Sequence, residues 1–298
     1  MKVPELISRW FALRPEFSEG QVLCLNAAGY HRMAYTEWGD PENPEVVVCA
    51  HGLTRNGRDF DFLARALAGR FRVICPDVVG RGRSDWLPDK SGYGLAQYAA
   101  DMVVLLARLQ VDSVHWVGTS MGGLIGMVLA SHAGAPIRRL VLNDVGPSIS
   151  AESLRRIGEY VGKAPRFPSV DDAEKYVRFV SAPFGQLTDA QWRHLTETGL
   201  RRADDGQWEL RYDPGIGEPF RQTMLLQNVD LWPIYERIAC PVLLVRGADS
   251  DLLTAETAAA MAVRGPRARL VEIAGVGHAP MFLDAAQVAP VVDFLSAD

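Results

Sequence analysis

The 298-residue chain is sparing with the residues that commit a protein to metal, redox or membrane chemistry. Its four cysteines, Cys24, Cys49, Cys75 and Cys240, stand far apart inside or beside apolar runs. No C-x-x-C pair occurs, so a zinc site or redox dithiol is not indicated, and buried free thiols in a reducing compartment are expected. No apolar run approaches the roughly 20 residues that span a bilayer, and Met1–Leu6 has no signal-like apolar core. A soluble, cytoplasmic protein without a membrane partner is the expectation. Charge of either sign is in short surplus: 31 basic against 36 acidic side chains, mixed along the chain, leave no basic face for nucleic acid. Neither a G-x-G-x-x-G after the first strand nor a G-x-x-x-x-G-K-[ST] loop is present, which speaks against dinucleotide and nucleotide binding. No metal and no cofactor is implied. Internal repeats and low-complexity tracts are also missing.

With 48% hydrophobic and 22% charged residues, the composition suits a globular protein with one large core or two modest ones. The stretch around which the rest is arranged is Val114–Leu124. Val114, His115, Trp116 and Val117 read as a short buried strand, and Leu124–Ala130 reads as a buried helix. Between them, Gly118-x-Ser120-x-Gly122 matches the G-x-S-x-G turn that lifts a serine hydroxyl to the top of a sheet. A strand that reverses into a helix within one residue crowds its own backbone, so side chains at Gly118 and Gly122 would collide with neighbours.

Along the chain, residues 4–14 suggest a short helix, and Gln21–Asn26 and Arg32–Trp38 a hairpin turned at Ala27–His31. Glu45–Ala50 is a nearly continuous apolar strand of the kind covered on both faces. Helices at Arg58–Ala68, Ala96–Leu109 and Leu124–Ala133 then alternate with strands at Phe71–Cys75, Ser113–Val117 and Arg139–Asn143. Strands Pro241–Arg246 and Arg269–Ile273 follow, with helices Ala255–Val263 and Ala286–Leu295. This rhythm predicts an α/β fold: a mostly parallel central sheet with helices on both faces. Residues 146–238 break it. They read as helices at Ala151–Val161, Asp171–Val180 and Asp189–Thr196, with a small hairpin near Asp204–Tyr212. The expected organisation is a core from 1–145 and 239–298, with 146–238 as a mainly helical cap over the carboxyl ends of the strands, where open α/β sheets bind ligands.

A serine hydroxyl needs a base to become nucleophilic. Of six histidines, His278 lies in a glycine-rich loop directly after the last strand, at the sheet edge that also holds Ser120. His115 sits within a strand, and His31, His132 and His194 fall on turns or helix faces. The loop His51-Gly52-Leu53 follows a central strand and presents the Leu53 N–H to a developing oxyanion, with the Met121 N–H as second donor. His51 shapes that turn. His51, Trp86, Leu252 and Met281 are candidates for a substrate pocket, with Leu253 and Phe282 beside them.

Four segments in this order, His51-Gly52-Leu53, Asp77–Ser84 with its Gly80-x-Gly82-x-Ser84, Gly118–Gly123 and Gly277-His278, make the chain resemble the α/β-hydrolase superfamily from Gln21 to Leu295. The resemblance implies the fold, a cap at 146–238 and a Ser120–His278 pair oriented by an acid. In that family the acid usually follows the seventh strand as G-x-x-D, but Gly247-Ala248-Asp249-Ser250 puts a serine there. Some members carry the acid after the sixth strand, which here is Asp144. Asp144 is preferred because a strand end fixes a side chain better than a loop; Asp251 and then Asp249 remain alternatives. Asp77 reads as a brace of neighbouring turns. The expected reaction is hydrolysis of a small carboxylic ester or related acyl substrate through an acyl-enzyme. Cleavage of a C–C bond, lactone or amide by the same groups is the alternative, and a non-catalytic receptor of this fold a further one. Oligomeric state is not legible.

Overall fold

The computed structural model describes residues 17–219 and 228–297; the helix expected at 4–14 lies outside them. Eight strands form the central sheet: β1 (Phe17–Asn26), β2 (Gly29–Trp38), β3 (Val46–Ala50), β4 (Arg72–Pro76), β5 (Val114–Thr119), β6 (Ile137–Asn143), β7 (Val242–Gly247) and β8 (Arg269–Ile273). Their spatial order is β1-β2-β4-β3-β5-β6-β7-β8, with β3 to β8 parallel and β1 and β2 antiparallel.

Among the described residues, helices α1 (Asp61–Leu67), α2 (Leu95–Leu109), α3 (Met121–Ala130), α4 (Ala255–Met261) and α5 (Ala285–Ser296) cover the sheet. The pattern of β3 explains why both faces are covered. Val46, Val48 and Ala50 join the core cluster that holds Met102, Leu105 and Ile125, whereas Val47 and Cys49 join the one that holds Leu63, Leu67 and Val291. Successive side chains of a strand leave opposite faces, so five buried residues in a row require a helical layer on each side.

The sheet order also places the site. The chain runs from β3 outward to β4, then crosses to β5 on the other side of β3. At such a reversal the loops leaving the two neighbouring strands diverge and open a crevice at their carboxyl ends. Ala50 of β3 pairs with Gly118 of β5, so the loop beginning at His51 and the turn at Ser120 face each other there.

Several boundaries differ from the sequence expectation: β1 begins at Phe17 and not Gln21, and α1 at Asp61 and not Arg58. The hairpin turn is shorter, with β2 resuming at Gly29, where φ is 127°. Tyr30 (74% exposed) and His31 (3%) already alternate as strand residues, so the ladder continues through them. The helix after Ser120 begins at Met121, not Leu124; its first turn holds glycines at 122 and 123 because neighbouring backbone and side chains fill the space where Cβ atoms would be.

Between β6 and β7 the chain makes helices Ala151–Tyr160, Val170–Val180 and Asp189–Thr198. Each starts at a serine or threonine whose side chain accepts from a backbone N–H of the first turn. Strands Leu200–Arg202 and Trp208–Leu210 form the expected hairpin, joined by Arg166–Phe167. This insertion is anchored to the core where Gly82 N–H donates to Arg211 and Asp213 N–H donates to Gly80. Among the described residues no helix is long and apolar enough to cross a membrane.

Candidate active site

Ser120 occupies the single residue between β5 and α3, with φ 51° and ψ −114°. A non-glycine residue is held there only when its surroundings over-determine it. They do: a Cβ at Gly118 would overlap the Gly122 carbonyl, and one at Gly122 the Ala50 carbonyl. Trp116 Nε1 donates to the Gly122 carbonyl (3.0 Å), and Ser120 N–H donates to Asn143 (2.9 Å). The turn is thus fastened to β3 and β6, and Ser120 Oγ faces the crevice.

His278 and Asp144 arrive from two other strand ends. His278 Nε2 lies 3.0 Å from Ser120 Oγ, and His278 Nδ1 lies 2.7 Å from Asp144 Oδ2. With the Nδ1 proton directed at the carboxylate, Nε2 is the acceptor for the serine hydroxyl. Asp144 is wholly buried at φ 53°. Besides His278, its carboxylate accepts from Gly247 N–H (2.9 Å) and Ser250 Oγ (2.6 Å). Donors from three directions satisfy a buried charge and fix its orientation. The alternative aspartates lie elsewhere: Asp251 is exposed and ion-paired with Arg156, and Asp249 is exposed. A hydroxyl, an imidazole and a carboxylate in this sequence let a serine act as a nucleophile.

Ser250 and Asn143 are the residues that sequence reasoning passed over. Ser250 stands where the resemblance leads one to look for the acid, and its hydroxyl donates to the Asp144 carboxylate. That substitution was the available signal. Asn143 Nδ2 donates to Thr119 Oγ1 (3.0 Å) and the Pro280 carbonyl (2.7 Å), tying the serine turn to the histidine loop; no sequence pattern announces it.

The site opens into a cavity of about 510 Å³ lined mainly by apolar side chains, among them Leu53, Leu124, Leu154, Ile157, Leu252 and Met281. This is the ordinary size of a small-molecule pocket. The backbone N–H groups of Leu53 and Met121 donate to no protein acceptor among the described residues. Met121 N–H is one of the orphan donors at a helix start.

Four pocket expectations are corrected. His51 does not line the cavity: it is wholly buried, its Nε2 accepts from Val78 N–H (2.9 Å), and its Nδ1 donates to the Gly52 carbonyl (2.7 Å). Burial pushes its pKa down to about 3, so the ring is neutral. Trp86 lies outside the cavity lining, where its ring carries the Arg201 guanidinium at 4.0 Å. Leu253 and Phe282 are core residues. Asp77 braces turns as expected, accepting from Gly57 N–H and Arg83 N–H.

Among the described residues one trio has metal-ligand spacing, Cys24, His31 and Asp101, all buried. Burial beside Asp101 pushes the Cys24 thiol up to about 12, and His31 Nε2 is already bonded to Asp101 at 2.9 Å. None of the three lines the cavity.

Comparison with known proteins agrees with the geometry. The family profile of the alpha/beta hydrolase fold matches residues 45–285. A 3-hydroxybutyrate-oligomer hydrolase from Cupriavidus necator is 51% identical over 284 residues, covering 93% of this chain and 97% of that protein. A 2-(acetamidomethylene)succinate hydrolase from Mesorhizobium japonicum is 28% identical over 236 residues, covering 78% and 81%. An alpha/beta hydrolase structure from Novosphingobium aromaticivorans superposes with a TM-score of 0.85 at 36% identity, covering 95% of this chain and 99% of that one. The chain belongs to the α/β-hydrolase family and is a hydrolase.

Proposed function

We propose that the protein is a serine hydrolase of carboxylic esters whose substrates are short oligoesters of a hydroxy acid such as 3-hydroxybutyrate. The observation that carries this reading is the unbroken hydrogen-bond chain Ser120–His278–Asp144 in the wall of an apolar cavity. Ser120 Oγ attacks the ester carbonyl while His278 Nε2 takes its proton, and Asp144 stabilises the imidazolium through Nδ1–H. Negative charge moves to the former carbonyl oxygen, which Leu53 and Met121 N–H hold. Collapse expels the alcohol, protonated by His278, and leaves an acyl-enzyme. Water, deprotonated by His278, then releases the acid.

The substrate class rests on the 51% identical relative named for 3-hydroxybutyrate oligomers. Residues 146–238 serve as a cap between core segments 1–145 and 239–298, and their side chains Leu154, Ile157 and Tyr176 fit a role in selecting the acyl group. The test is fluorophosphonate labelling alongside release of 3-hydroxybutyrate from its dimer and trimer. Wild type is expected to label and turn over. Ser120→Ala is expected to lose labelling, with kcat falling by at least about 10³-fold. A wild type that takes no label and cleaves no ester refutes the serine mechanism; one that labels but ignores hydroxybutyrate esters refutes only the substrate.

A further inference from the structure

Arg81 is wholly buried, and a guanidinium does not shed its proton there. Its Nε donates to the Leu53 carbonyl (2.8 Å), its Nη1 to the Val79 carbonyl (2.7 Å), and its Nη2 approaches Met121 Sδ at 3.7 Å. Two aromatic faces flank it, Tyr98 at 4.8 Å and Tyr93 at 5.7 Å. No carboxylate lies within ion-pair distance of it among the described residues. Two carbonyls and two rings compensate such a charge only in part. A long apolar side chain would fill the same space without that cost, so packing alone gives no reason for a cation.

Its contacts supply one. Leu53 and Met121 both carry N–H groups near Ser120 that donate to no protein acceptor among the described residues. The loop carrying Leu53 runs from β3 to a 3-10 turn at Gly57–Phe60; its Gly52 carbonyl is held by Arg55 N–H and His51 Nδ1, and Arg81 Nε holds the Leu53 carbonyl. A positive charge held against the Leu53 carbonyl and the Met121 sulfur interacts weakly with a neutral ester carbonyl and strongly with an oxyanion, and the burial of Arg81 limits screening by water. An interaction that grows as charge develops lowers the barrier without tightening ground-state binding.

We propose that Arg81 is a positioning residue for the oxyanion: it holds the Leu53 carbonyl and supplies a buried positive charge against Leu53 and Met121. The inference rests on the serine-hydrolase reading above. Arg81→Gln keeps a donor without charge, and Arg81→Lys keeps charge without the fork. Both are compared with wild type for kcat, KM, fluorophosphonate labelling stoichiometry, thermal midpoint and affinity for an alkylboronic acid, which adds to serine as a tetrahedral anion.

In Arg81→Gln, kcat is expected to fall about 10²-fold, the magnitude of losing one oxyanion donor, with KM within about threefold. Boronate affinity falls in parallel, while labelling still reaches one group per chain. Arg81→Lys recovers about tenfold of the loss. A fully labelled Arg81→Gln enzyme with kcat within about threefold of wild type overturns the proposal. So does a loss of kcat that tracks a lowered thermal midpoint while boronate affinity holds. If the glutamine variant does not fold, the lysine variant decides: a roughly tenfold lower kcat at unchanged KM supports the role, and wild-type kcat overturns it. A wild type that neither labels nor turns over removes the serine reading itself, and this inference with it.

Discussion

Asp144 shows how much a single side chain depends on its donors. Three hydrogen bonds converge on its carboxylate, and only one comes from His278. Asp144→Asn leaves the shape but presents an amide to Nδ1; kcat is expected to fall by about 10⁴-fold with little change in folding. Ser250→Ala removes one neutral donor, worth about 1 kcal/mol, so kcat should fall about fivefold at constant KM. Steady-state kinetics on purified variants measures both. Asp144 could be preferred from sequence because it ends an apolar strand, whereas Ser250 was noticed as a gap in a motif and not as the partner that fills it. His51 was misplaced for a similar reason: a histidine next to an oxyanion loop suggests the pocket, but its two backbone hydrogen bonds turn the ring inward. Its pKa of about 3 is below the unfolded value of 6.5. The unfolded chain therefore gains a proton below pH 6.5 that the folded protein refuses until about pH 3. Stability conferred by the neutral ring is present above pH 6.5 and is lost as pH falls through that window, by up to about 1.4 kcal/mol per pH unit. Chemical denaturation from pH 7 to 4 should show a shallower loss in His51→Gln.

At the scale of elements, the serine turn couples β5 to α3 through contacts that leave no spare volume. Gly122→Ala places a methyl against the Ala50 carbonyl, a backbone atom that cannot swing away. We expect a loss of at least about 3 kcal/mol, seen as a fall in the denaturant midpoint or as insoluble protein. The strands of the central sheet were legible because buried parallel strands are written as uninterrupted apolar runs, Val46–Cys49 being the clearest. The start of α3 was not. Gly122-Gly123 has poor intrinsic helix propensity, and only the closeness of β3 and β6 explains why glycine is needed in the first turn there.

The whole molecule sets access to the serine. Cavity walls come from the core through Leu53, Leu124 and Met281, and from the insertion through Leu154, Ile157 and Phe184. Phe184 is partly buried, so its truncation should cost little stability while enlarging the pocket. Phe184→Ala should raise the kcat/KM ratio of long over short acyl p-nitrophenyl esters by about tenfold, the lower end of what one methylene contributes. The existence of the insertion was legible, since charged and aromatic helices interrupt the strand rhythm. Which of its aromatics faces the cavity was not: Tyr212 does, whereas Trp192, Trp208 and Trp232 are not part of the lining. Helical periodicity says which side is apolar, not what lies opposite. Finally, the hydroxyl at Ser120 meets the imidazole of His278, its proposed base, 158 residues further on. The same late segment supplies Leu252, Ala279 and Met281 to the cavity wall, so on the proposed mechanism the pocket and its base are completed together, by the last part of the chain to be made.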